Sequence, residues 1–80
     1  MYYVYALYSK KYNKIYIGMT SDIDARLASH NHPQNRGWTA KYQPWEVIYK
    51  ESLHSKKAAL VREKQLKSFQ GRKFIRSLIK

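Results

Sequence analysis

Residues 1–18, Met1-Tyr2-Tyr3-Val4-Tyr5-Ala6-Leu7-Tyr8-Ser9-Lys10-Lys11-Tyr12-Asn13-Lys14-Ile15-Tyr16-Ile17-Gly18, decide the fold. From Met1 to Tyr8 the chain alternates Tyr3, Tyr5 and Leu7 with Val4, Ala6 and Tyr8. Both sets are apolar or aromatic, so the run reads as a strand covered on both faces. Ser9 to Lys14 is a polar turn, after which Ile15-Tyr16-Ile17-Gly18 resumes the extended pattern, so the two runs make a β-hairpin. The rest of the chain has to cover it.

Downstream, Ser21 precedes Asp22 and Asp24, a side-chain cap followed by carboxylates where a helix dipole favours them, and a helix is predicted to run to about Asn31. His32-Pro33 ends it, and Asn31 to Tyr42 reads as the one loose region. Trp45 to Lys50 alternates again and reads as a third strand, with Pro44 at its edge. Ser55 to Phe69 and Arg72 to Ile79 carry helical patterns, with Gly71 marking the break between them. The expected order is β-β-α-β-α-α. This is an α+β fold, an α/β sandwich with a three-stranded antiparallel sheet and flanking helices, in one domain spanning 1–80.

Eighty residues allow one small core. Hydrophobic residues form 44% of the chain, too many for a disordered tail, while a mean hydropathy of −0.72 demands a very polar surface. Sixteen Lys and Arg against five Asp and Glu leave a formal charge of +11. So much self-repulsion calls for a polyanionic partner, nucleic acid ahead of an anionic membrane surface. The absence of cysteine excludes disulfides, thiolate metal sites, a zinc finger and a Cys nucleophile, and fits a reducing compartment. No stretch approaches the ~20 apolar residues of a spanning helix, and the first residues lack a secretory signal pattern, so a cytoplasmic location is expected.

Helical-wheel positions single out three polar residues. With Glu63 at the origin and 100° per residue, Ala59, Leu60 and Leu66 all fall within 60° of it, which places a carboxylate in an apolar arc. Such a group needs a cation, a pocket or a metal; Lys67, four residues on, offers an ordinary surface pair. With Ile23 at the origin, Leu27, His30 and Arg26 lie within 60°, so Arg26 and His30 share one face beside the inward stripe. A guanidinium fork next to an imidazole suits phosphate binding beside proton transfer, whereas a lone inward His is more often a hydrogen-bonded core residue. Eight tyrosines are an excess, and Tyr5 and Tyr16 can project from neighbouring strands of the hairpin. A Tyr array is also good strand chemistry, and residue type alone leaves both readings open.

Taken together, Tyr3-Val4-Tyr5-Ala6-Leu7, Lys14-Ile15-Tyr16-Ile17-Gly18-Met19-Thr20, Asp22-Ile23 followed by Arg26 and His30, and Glu63 on a late helix resemble the GIY-YIG endonuclease domain, in particular its small stand-alone members. Tyr16-Ile17-Gly18 matches the second half of the namesake motif letter for letter, and the resemblance spans nearly the whole chain. It implies that Tyr5 and Tyr16 are the two motif tyrosines, Arg26 the arginine, His30 the helix histidine and Glu63 the metal-binding glutamate. In the mechanism it implies, Glu63 holds one divalent cation, Mg²⁺ or Mn²⁺, and Tyr5 takes a proton from an attacking water. Arg26, with Tyr16 and His30, supports the scissile phosphate. The chain departs from the pattern twice. The first motif reads Tyr3-Val4-Tyr5 in place of Gly-Ile-Tyr, with Tyr3 expected to point away from the chemistry. No Asn follows Asn35 to supply a late asparagine, leaving Gln70 or Lys67 as substitutes.

Three functions of different classes follow. The first is a metal-dependent endonuclease acting on DNA, RNA not being excluded, as a monomer or weak homodimer with no small-molecule cofactor and no membrane. The second is a non-catalytic basic nucleic-acid-binding module of the same fold, for which Lys56, Lys57, Arg62, Lys64, Lys67, Arg72, Lys73 and Arg76 on the terminal helices would suffice. The third, a structural RNA-packing protein, leaves Glu63 with no role beyond Lys67.

Overall fold

Tyr2–Ser9 (β1) is the middle strand of a three-stranded antiparallel sheet of order β2-β1-β3 in the computed structural model, which describes residues 1–79. Residue 80, part of the expected 1–80 domain, lies outside the described residues. β2 is Lys14–Thr20, β3 is Glu46–Leu53, and the helices are α1 (Ile23–His30), α2 (Lys56–Lys67) and α3 (Phe69–Ser77), giving the order β-β-α-β-α-α. The double-sided apolar pattern of the first eight residues has its physical cause here, because a central strand is covered from both sides. Val4, Ala6, Ile15 and Ile17 meet Ala59 and Leu66 of α2 and Ile75 of α3. Tyr5 and Leu7 face the other way with Trp45, against Ile23 and Leu27 of α1 and Tyr16, Tyr42 and Val47. Tyr5 pairs with Gly18 on one side and Lys50 on the other. In β3, Ile48 has no partner where the register shifts between Ala6 and Leu7.

Four sequence expectations are corrected. Asp22, not Ser21, caps α1, its carboxylate accepting from the Ala25 amide; either residue type can cap, and the one closer to the apolar stripe does so. Ser68, not Gly71, divides the terminal helices. Its N–H donates to the Gln65 carbonyl as the C-cap of α2, while its hydroxyl accepts from the Gly71 amide as the N-cap of α3. Gly71 sits within α3 because a Cβ there would collide with the Gln65 carbonyl and Leu66 backbone. Tyr3 lies on the Tyr5 face, as strand alternation requires, and borders a cleft with Asp22, Ile23 and Lys50.

The fourth correction concerns the segment expected to be loose. It contains a short 3₁₀ turn at Trp38–Tyr42, and side chains hold it by bonding backbone groups that no helix or strand would satisfy. Asn31 clasps Trp45, accepting from its amide (2.7 Å) and donating to its carbonyl (3.0 Å). Gln43 donates to the carbonyls of His30 and His32, and the Trp45 indole N–H donates to the Thr39 carbonyl.

Gly71→Ala is expected to destabilise the fold by about 2 kcal/mol, since a forced backbone separation outweighs the ~1 kcal/mol of helix propensity that Ala gains. The melting temperature should fall by roughly 10 °C. An unchanged or raised melting temperature would remove the close α2–α3 approach from the account.

Candidate active site

The site is built on a bare stretch of edge strand. A side chain at Gly18 would place its Cβ 2.6 Å from the Tyr5 hydroxyl and 3.0 Å from a Tyr16 ring carbon, so glycine is what lets the two phenols converge over β2. The Tyr5 and Tyr16 ring centroids are 6.4 Å apart. His30, the buried residue at the last turn of α1, closes the group: its ring lies 4.8 Å from Tyr16, and its Nε2 is 3.1 Å from the Tyr5 hydroxyl. On the far side, His30 Nδ1 is 2.9 Å from the hydroxyl of buried Thr39. Asn35 donates to that same hydroxyl and to the His30 carbonyl, fixing both. Tyr5, His30, Thr39 and Asn35 thus form one continuous hydrogen-bonded chain that ends in the segment pinned by Asn31 and Gln43.

Two charges act on it. Arg26 is exposed rather than turned inward, but it lies one turn from His30 and its charge is felt at both His30 and Tyr5. Burial pushes the Tyr5 hydroxyl well above the usual phenol range; the neighbouring Tyr16 and the Glu63 carboxylate push the same way, and Arg26 opposes them. Burial, then Arg26, lowers the His30 pKa, so its ring is neutral at pH 7.

Glu63 is not at the middle of a buried arc. Ala59 and Leu66 are buried as the wheel placed them, but Leu60 is 47% exposed, so the true apolar stripe of α2 is centred away from Glu63. Its side chain is partly buried, 20% exposed, and its ion pair is the long one to Lys67 at 3.6 Å. It accepts no hydrogen bond among the described residues. Among those residues no group of three or more His, Cys, Asp and Glu side chains gathers as a metal cage. A lone carboxylate with unused lone pairs fits a hard cation that keeps most of its waters, and does not fit a metal that demands several protein ligands.

The basic residues divide. Lys67, Arg72 and Arg76 line a groove of about 490 Å³ that runs over the edge of β2 beside Tyr16, together with Lys14 and Trp38, which the sequence reading did not single out. Asn13, in the left-handed region at φ 54°, anchors Arg76 through its side-chain oxygen at 3.2 Å. Lys57 lines a separate, more apolar groove with Leu53 and Val61. Lys56, Lys64 and Lys73 are exposed on the terminal helices, and Arg62 is committed to Glu51 at 2.8 Å. Of the two residues offered in place of a late asparagine, Lys67 lines the groove and exposed Gln70 does not. Thr39 and Asn35 were missed because they sit in a stretch without periodicity; only the density of Asn, Gln and Thr around His30 hinted at a bonded network.

The family model described as the GIY-YIG catalytic domain matches residues 1–74. A UPF0213 protein of Staphylococcus haemolyticus is 36% identical over 67 residues, covering 84% of this chain and 80% of its own. Another, of Staphylococcus saprophyticus, is 32% identical over 71 residues, covering 89% and 85%. The solution NMR structure of the UPF0213 protein BH0048 from Bacillus halodurans is similar with a TM-score of 0.55 at 28% identity, covering 99% of this chain and 86% of that one.

Proposed function

The chain belongs to the GIY-YIG family, and from that premise we propose that it is a metal-dependent endonuclease hydrolysing phosphodiester bonds in DNA. The observation that carries this reading is the Tyr5 hydroxyl, held 3.1 Å from His30 Nε2 over bare Gly18 while Arg26 and Glu63 both act on it. A merely basic nucleic-acid binder has no use for such a group.

Glu63 is the residue that would hold Mg²⁺ or Mn²⁺. Bound there, the ion would supply positive charge to offset the negative charge that develops in phosphodiester hydrolysis. This chain's own residues do the rest. Arg26 offers its planar donors to the non-bridging oxygens, where negative charge builds, and Tyr16 donates its phenol O–H to the same phosphate. Tyr5, kept neutral by burial, does not wait as a phenolate. It accepts the proton of the attacking water on Oη as it passes its own proton to His30 Nε2. With its other hydrogen on Nδ1, His30 donates to Thr39 throughout, becoming an imidazolium only transiently. The water oxygen forms the new bond to phosphorus, the P–O bond to the leaving group breaks, and the released alkoxide takes a proton from solvent. Plasmid nicking by the purified protein, with Mg²⁺ and with chelator, tests the proposal. Nicking only with the metal supports it, and tight binding without nicking in either condition favours the idle binding module.

His30 gives the reaction its pH dependence. Because its folded pKa lies below the ordinary 6.5, cleavage should have an acidic limb beneath pH 6.5. Stability should show the same sign: the unfolded chain binds the proton first, so stabilisation present above pH 6.5 is lost as the pH falls below it. His30→Gln keeps a polar side chain of similar length without a titrating group, and is expected to flatten both limbs. An intact melt with an unchanged pH–rate profile would take His30 out of the proton path.

A further inference from the structure

Trp38, which lines the groove beside Tyr16, has no place in the chemistry above. Trp38 is 48% exposed although it stands on a short 3₁₀ turn that the chain spends many hydrogen bonds to hold. Its indole is backed by other rings: Tyr42 at 4.8 Å, Trp45 at 5.9 Å, and Tyr16 at 6.3 Å in a nearly parallel stack of 28°. A large apolar side chain left half in water, yet fixed from behind, is not serving the core. The rest of the lining of this groove of about 490 Å³ is strongly basic: Lys67, Arg72 and Arg76 share it with Trp38, and so does Lys14, whose ammonium lies 5.6 Å from the centroid of the Tyr42 ring. The groove therefore combines an aromatic face backed by other rings with four cationic side chains, and Tyr16, a member of the candidate active site, lines it too.

We propose that this groove binds an unpaired nucleotide, its base stacked on Trp38 and its phosphate held by Lys14 and the α3 arginines, so that the protein prefers single-stranded polynucleotide to duplex. The inference rests on the nuclease reading only for its consequence, the delivery of a flexible strand to Tyr16; the binding site stands on the groove itself. A duplex cannot offer a base face to Trp38 without unstacking, whereas a single strand exposes one at every residue, and stacking on an aromatic side chain is tolerant of sequence. The ring cluster behind Trp38 fixes the indole before binding, so little side-chain freedom is lost when a base arrives. The chemistry recognised, a π face with a phosphate one backbone step away, is common to DNA and RNA single strands.

Binding in chelator, where no cleavage occurs, separates this from the nuclease question. Labelled oligo-dT and oligo-U of twelve residues and a twelve-base-pair duplex would be titrated with the full chain, reading anisotropy and tryptophan fluorescence. Wild type should bind one or both single strands about tenfold more tightly than the duplex, with quenching of indole emission; which of the two binds names the polymer. Trp38→Leu keeps apolar bulk and removes the π face. It should lose about tenfold for single strands and change little for duplex, while Trp38→Phe keeps most of the preference. Single-strand binding by folded Trp38→Leu equal to wild type would overturn the proposal, as would equal losses for both forms of nucleic acid. If Trp38→Leu does not fold, Trp38→Phe and wild-type quenching decide: no quenching by a bound single strand overturns it. Nicking without any Trp38 effect defeats this inference alone, and a Trp38 effect without nicking defeats the nuclease reading alone.

Discussion

Glu63→Gln is expected to lower Mg²⁺-dependent DNA cleavage by about a thousandfold, ~4 kcal/mol of transition-state stabilisation, while DNA affinity and melting temperature stay close to wild type. The amide keeps the size of the carboxylate and removes the negative charge that would hold a divalent cation. Stability should hardly respond, because what is lost in the fold is a single long i,i+4 pair between partly buried Glu63 and exposed Lys67 at 3.6 Å, of a kind worth ~0.3 kcal/mol. The contrast matters more than either number. Were Glu63 only half of a helix-surface ion pair, the variant would change neither rate nor melt. Nicking by the variant at the wild-type rate in Mg²⁺ would remove both the metal assignment and the nuclease reading.

The second large effect is expected at Tyr5. Tyr5→Phe deletes one oxygen atom from the relay, leaving the ring over Gly18 and the core packing of β1 in place. Cleavage should fall roughly a thousandfold, in the middle of what a positioned proton-transfer group contributes. The cost to the fold is of another order. His30 Nε2 loses its partner, a deficit of about 1 kcal/mol that should lower the melting temperature by roughly 5 °C. A variant that melts as expected yet cleaves within tenfold of wild type would place the proton transfer elsewhere, with Tyr5 reduced to a core residue that happens to touch His30.

The hairpin and the element order were legible in the sequence because hydrophobic alternation on both faces is a strong constraint: only a central strand buries Val4, Tyr5, Ala6 and Leu7 together. The inward position of His30 was legible for the same reason, from its angle to Ile23 and Leu27. What escaped was set by single contacts rather than by period. The break at Ser68 depends on one serine serving two helix ends, a signal weaker in the sequence than the glycine three residues later. Leu60 looks inward on a wheel centred on Glu63, but the packing of Ala59 and Leu66 against Ile15 and Ile17 turns α2 so that Leu60 faces water. The segment from Asn31 to Tyr42 read as loose because side-chain amides replace the backbone ladder there. It nevertheless delivers Thr39 to His30 and Trp38 to the groove. The Tyr5–His30–Thr39 chain could not be written from spacing, since its members come from three separate elements brought together by the fold.

Single-turnover cleavage of a 5′-labelled DNA oligonucleotide, with wild type and Glu63→Gln measured side by side in Mg²⁺ and in chelator, bears most directly on the claim that this cluster is a hydrolytic centre. The account predicts discrete shorter products from wild type in Mg²⁺, none in chelator, and none above background from the variant while it still retains the oligonucleotide on a gel. Wild-type protein that binds the strand and leaves it intact in Mg²⁺, or a variant that cuts as fast as wild type, would contradict it.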